Sequence, residues 1–152
     1  MYIFLDVDGV LNTKKDWERK IYSLNPKCVD EFCNLLKKID DPKIVLSSTW
    51  RNGIARDGST AVHIDKLQEV LSKSGISSMD KTATAPDGSR SREIDYYLRT
   101  HNKDSYIILD DDIDIFELGE KTPNLFRIDP STGLTKKDVK SILKEIKRKR
   151  GK

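Results

Sequence analysis

Two acids, Asp6 and Asp8, follow directly on an apolar run from Tyr2 to Leu5 and precede Gly9. Carboxylates this close repel each other, and each loses hydration if the run before them is a buried strand. The pattern recurs twice. The stretch "KIVLSS" ends in the hydroxyls of Ser47 and Ser48, and "SYIILDDD" ends in Asp110, Asp111 and Asp112. In each run the polar groups are absent from the interior and gathered at the carboxyl end, where open parallel sheets bind their ligands. Carboxylates gathered in one crevice call for a cation, and hard oxygen donors suit Mg²⁺. Calcium loops also use alternating acids, but they do not emerge from a buried strand. For Ser47 and Ser48 the plain alternative is capping of a strand end.

Such a cluster needs a scaffold that brings strand ends together. Short continuous apolar runs suit strands covered on both faces, and "NLFRID" (124–129) is a weaker fourth. Helical patterns lie between them. In "NPKCVDEFCNLLKKI", Asn25 reads as N-cap and Pro26 as the first helical residue, with Val29, Phe32, Cys33 and Leu36 on one face. "HIDKLQEVLSKSG" repeats Ile64, Leu67, Val70 and Leu71, and stops at Gly75. "SREIDYYLRTH" groups Ile94, Tyr97 and Leu98. A last helix begins at Thr135, with Asp138 completing a near capping box, and carries Val139, Ile142, Leu143 and Ile146. Stretches 12–24, 51–60 and 79–90 are polar and read as loops. Alternating strands and helices give an α/β fold, a three-layer doubly wound parallel sheet in one domain over 1–152.

The bulk numbers agree with that reading. The chain has 152 residues, 36% hydrophobic and 35% charged, and no apolar run long enough for a membrane span. No secretory signal precedes the first strand. Cys28 and Cys33 share a helix without zinc-ligand spacing, and read as reduced thiols in a cytoplasmic protein. The net charge of +3 resides in a basic C-terminal tail, 144–152, whose cations are Lys144, Lys147, Arg148, Lys149, Arg150 and Lys152. They complement a helix C-terminus, and are also suited to a phosphodiester backbone.

"DVDGVLN", "IVLSS" and "YIILDDD", in that order, resemble the first, second and fourth motifs of the haloacid dehalogenase (HAD) superfamily of phosphohydrolases. The wording "SSTWR", "SREI", "ILDDD" and "DPSTGLT" is similar, more narrowly, to the HAD-like domains associated with Swiss Army Knife RNA repair proteins. The resemblance implies a Rossmannoid fold and a Mg²⁺-dependent phosphomonoesterase. Asp6 would be the nucleophile, forming an aspartyl phosphate, and Asp8 the general acid and then base. Mg²⁺ would be held by Asp6, the Asp8 carbonyl, and Asp110 or Asp111. Ser47 would donate to a phosphoryl oxygen, with Ser48 as substitute, and Gly9 would let backbone approach the phosphoryl group. For the third-motif cation the candidates are Arg90, Arg92 and Lys81, with Arg90 favoured because "RSREI" fits the repair-domain pattern. Trp50 and Arg51 are placed to stack on a base and hold a phosphate, although core packing is equally open for Trp50. Asp112 and Asp114 extend the acidic stretch, one toward the metal and one as a solvated helix-terminal acid. Trp17 falls where the superfamily carries a small flap. His63 and His101 have no ligand spacing and read as surface or helix-end residues.

The intervals between motifs leave no room for a cap domain, so the enzyme is near-capless and its site open. An open site suits phosphate on a large molecule. The basic tail favours RNA or DNA ends, with nucleotides also possible. Small-metabolite or phosphoprotein phosphatases of the same superfamily are the alternatives. A phospho-receiver-like binding module is the rival from another class, but a receiver has its acceptor Asp on a middle strand.

Overall fold

The computed structural model describes residues 1–102, 104–113 and 118–152. Five strands form one sheet: β1 (Tyr2–Leu5), β2 (Lys43–Leu46), β3 (Asp80–Lys81), β4 (Tyr106–Asp110) and β5 (Leu125–Arg127). All pairings are parallel, in the order β3-β2-β1-β4-β5. β1 is central, with Leu5 in register with Leu46 on one side and Leu109 on the other. The residues that follow Leu5, Leu46 and Leu109 therefore emerge side by side.

Both faces of the sheet are covered, which explains why β1, β2 and β4 read as unbroken apolar runs. One face presents Ile3, Leu5, Ile44, Leu46, Ile107 and Leu109. They pack against α2 (Pro26–Leu36), α3 (Val62–Ser72) and α5 (Lys136–Arg150). The other presents Tyr2, Phe4, Val45 and Ile108 to Ile94 and Tyr97 of α4 (Arg90–Thr100). The period-two alternation of a strand divides the residues between the two cores. A fully buried residue such as Leu5 contributes about 1.5–3 kcal/mol through its apolar surface.

The helix ends carry the expected signals. Asn25 caps α2 by accepting from the Lys27 and Cys28 N–H groups, with Pro26 at the first helical position. Thr135 and Asp138 form a complete capping box at α5. In α2 the buried face is Cys28, Phe32, Leu35 and Leu36, with Val29 and Cys33 half-buried at its margin. Both cysteines are free thiols.

Two expectations give way. Stretch 12–24 contains α1 (Lys14–Arg19), a short helix that buries no residue and is held by a capping box between Thr13 and Asp16. Stretch 79–90 contains β3, which exists because the β2 backbone pairs with it and has no apolar run of its own. The basic segment 144–152 forms the end of α5, which runs to Arg150, and the Lys149 ammonium bonds the Pro123 carbonyl and Asn124 Oδ1. Asp114 lies outside the described residues. Among the described residues no helix is long and apolar enough to cross a membrane.

Candidate active site

The chain leaves β1 after Leu5, though the Asp6 N–H still donates to the Leu109 carbonyl and so fixes Asp6 against β4. Asp6 is buried, Asp110 fully so, and Asp111 half-buried. One ligand oxygen from each lies within 4.8 Å of the others. Burial first, then the Asp110 charge and the Asp111 carboxyl, push Asp6 well above the usual carboxylate range. Asp111 is raised too, chiefly by burial. Three acids so placed need shared protons or a cation between them. Their donor set, all carboxylate oxygen on rigid strand ends, fits Mg²⁺.

Arg90 enters this cluster from the first turn of α4. Its Nη1 donates to Asp110 Oδ2 at 2.6 Å and stands 3.8 Å from Asp6. Burial works against its charge, but Asp110 and Asp6 prevail and leave its pKa raised. The other two candidate cations are elsewhere. Arg92 is exposed and pairs with Asp87, and Lys81 donates to the Ile54 carbonyl. The other Asp110 oxygen, Oδ1, accepts from the N–H of Asp112, whose own side chain is exposed.

Asp8 is held on a different flank. Its Oδ1 accepts from Asn12 Nδ2 at 2.8 Å and from the Trp50 indole N–H at 3.1 Å. Asn12, fully buried, also accepts from the Gly9 N–H and donates to the Ser23 carbonyl. Gly9 has φ of +85°, and a Cβ there would overlap the Asp111 carboxylate, with Cγ at 2.6 Å. The crowding that demands glycine thus comes from Asp111. The "DPSTGLT" segment braces the same turn: Leu134 N–H donates to the Val10 carbonyl, and Lys14 N–H to that of Pro130.

β2 delivers the serines. Ser47 is fully buried, and among the described residues its Oγ has no hydrogen-bond partner. A buried hydroxyl left unpaired is uncommon, and it leaves Ser47 with a donor to offer. Ser48 differs: its Oγ accepts from the Trp50 N–H and caps the 3₁₀ turn Thr49–Gly53.

Two expected substrate contacts are corrected. Trp50 is 1% exposed, so its ring cannot offer a face to a base; it packs in the core and orients Asp8. Arg51 does not reach out to phosphate. It is buried in a bidentate pair with Glu93 at 2.8 and 3.0 Å, with Thr82 Oγ1 at 3.2 Å. Glu93 also accepts from the Ala85 N–H, tying the ends of β2 and β3 to the turn of α4 that carries Arg90. Sequence reasoning missed Asn12, Glu93 and Thr82. An Asn four residues after Asp8 in a glycine turn was the available signal for the first; charged residues in polar stretches gave none for Glu93. His63 is half-buried, its Nε2 3.3 Å from the Trp50 carbonyl and its ring against Tyr22.

No curated protein and no solved structure matches the chain at significance. A family model described as the HAD domain in Swiss Army Knife RNA repair proteins matches residues 2–139, which include every strand end described above. With the sheet parallel, the acids and Ser47 at its carboxyl edge, and nearly the whole chain matched, the protein belongs to that HAD family.

Proposed function

We propose that this domain is a Mg²⁺-dependent phosphomonoesterase working through an aspartyl phosphate on Asp6, with a phosphorylated nucleic-acid end or nucleotide as substrate. The observation that carries the reading is the meeting, within 4.8 Å, of oxygens from the buried Asp6 and Asp110 and the half-buried Asp111. Family membership supports it.

An Asp6 oxygen attacks phosphorus, the bond from phosphorus to the ester oxygen breaks, and Asp8 protonates the departing oxygen. A water then attacks the aspartyl phosphate and gives its proton to Asp8, releasing phosphate and restoring Asp6. Mg²⁺ on Asp6, Asp110 and Asp111 supplies, when bound, the positive charge that lets a phosphate dianion approach an acidic site. Ser47 donates to a phosphoryl oxygen, and Arg90 stabilises charge that develops on the transferring group. Asn12 and Trp50 hold the Asp8 carboxyl in place through both stages.

The test is phosphate release by the purified protein, with Mg²⁺ or with EDTA, from 3′- and 5′-phosphorylated oligonucleotides, mononucleotides and sugar phosphates. Release from the nucleic-acid substrates that stops with EDTA supports the reading. Release from none of them, or a wide preference for sugar phosphates, overturns it.

A further inference from the structure

Beside Asp8 lies an aromatic group that the proposed chemistry does not use. Tyr22 and His63 stack face to face, centroids 3.7 Å apart and planes 5° from parallel. Both rings stand edge-on to Trp50, at 5.4 and 5.3 Å. The Trp50 indole N–H is bonded to Asp8, so one ring separates this stack from the catalytic turn. Tyr22 is 39% exposed even though His63 covers one of its faces and Trp50 meets its edge. Over a third of the tyrosine thus remains in contact with solvent beyond what His63 and Trp50 cover.

The backbone at Tyr22 adds an independent observation. Its φ is +59°, a left-handed conformation that costs a bulky L-residue about 1–2 kcal/mol. Strain of this kind persists only where surrounding contacts impose it, and it clusters at ligand-binding positions. Here the neighbours are pinned: the Ser23 carbonyl accepts from Asn12, and the Asn25 N–H donates to the Leu11 carbonyl. A glycine would suit this backbone without strain, and a tyrosine stands there. The same Asn12 amide holds Asp8, so the position of the Tyr22 segment and that of the acid are fixed by one side chain.

We infer that Tyr22, backed by His63, is the platform on which the base of the phosphorylated terminal nucleotide stacks. This rests on the phosphatase reading and names the part of the substrate that the site grips beyond the phosphate. A partly exposed ring one side chain removed from Asp8 takes any base, because every base has a π face. It contributes affinity without reading sequence, as an end-processing site requires.

The test compares two oligonucleotides that differ only in whether the phosphorylated terminal nucleotide carries a base or is abasic. The ratio of their kcat/KM values isolates the stack. The wild-type ratio is expected to favour the base by about 5- to 100-fold. Tyr22→Ala should bring the ratio close to one, and Tyr22→Phe should retain it. Tyr22→Gly, which relieves the backbone, should lose the preference while folding at least as well as Tyr22→Ala. A second readout needs no turnover: a 2-aminopurine at the terminal position should be quenched on binding Asp6→Asn protein, and unquenched when Tyr22→Ala is added. A wild-type ratio near one, a ratio indifferent to Tyr22→Ala, or phosphotyrosine peptides preferred with the same Tyr22 dependence would each overturn the inference. If no substrate is hydrolysed but the Tyr22-dependent quenching remains, the phosphatase reading falls and the stacking platform stands.

Discussion

The Trp50 indole N–H donates to Asp8 Oδ1 at 3.1 Å, joining two residues 42 positions apart in the chain. The bond crosses from the turn after β2 to the turn after β1, so the orientation of Asp8 depends on the packing of a fully buried ring. Trp50→Phe keeps most of that packing and removes the donor. It should lower kcat about tenfold, the scale of about 1.4 kcal/mol for one lost hydrogen bond to a charged group, with KM little changed. Asn12→Ala should cost more, because the Gly9 and Ser23 contacts go with it. Steady-state kinetics on one phosphomonoester checks both.

Ser47 offers a sharper division between structure and function. Its hydroxyl is buried and unpartnered among the described residues, so Ser47→Ala removes no internal hydrogen bond. Thermal stability should hold or rise slightly. Turnover should nevertheless fall about 10²- to 10³-fold, as when a donor to a transition-state oxygen is lost. A serine that merely caps the strand would give the reverse: lower stability and intact turnover.

The acid cluster makes metal-free stability depend on pH. Asp6 holds its proton more tightly in the native state than in the unfolded chain, because burial and then Asp110 and Asp111 raise its pKa. Its contribution is therefore complete below the ordinary carboxylate range and is lost as pH rises through the raised native value. Without divalent ions the melting temperature should fall as pH climbs through that window. Mg²⁺ at a hundredfold excess over its Kd should add about 2.7 kcal/mol, a rise in Tm of about 5–10 °C. Asp6→Asn should raise metal-free stability at neutral pH, blunt the Mg²⁺ shift, and lower phosphate release at least about a thousandfold. Thermal melts across pH, with Mg²⁺ or EDTA, separate these effects.

Arg51 and Glu93 form the buried pair that anchors α4. Removing one partner leaves the other charged and desolvated, which costs about 3–5 kcal/mol. Glu93→Ala should lower Tm by about 6–20 °C. Arg90 stands one helical turn before Glu93, so activity should fall as well. The double change Arg51→Met with Glu93→Leu should recover much of the stability, since a packed apolar pair can replace a buried ionic one. A melt series on the single and double variants tests the pair.

The parts of this fold that could be read from sequence are those whose signal is their own. β1, β2 and β4 are continuous apolar runs because helices cover both faces, and Asp6, Ser47 and Asp110 stand out as the polar residues that end them. β3 carried no such mark: Asp80 and Lys81 pair because Val45 and Leu46 lie alongside. Helix α1 buries no residue, so hydrophobic period was silent and only Thr13 and Asp16 spoke for it. Arg51 and Trp50 read as substrate contacts because an arginine and a tryptophan after a catalytic serine suit nucleic acid. Their burial is a property of the partners Glu93 and Asp8, which local pattern does not reveal.

The central position of β1 has a consequence for biosynthesis. The strand that leads into Asp6 is made about a hundred residues before β4, so its ladder with β4 waits until residues 106–109 have been made. Pairings between such distant segments close late and slow folding. A nascent chain therefore exposes this apolar segment until β4 has been made, and it acquires its acidic pocket no earlier. Catalytic competence would then report that the ladder between β1 and β4 has closed.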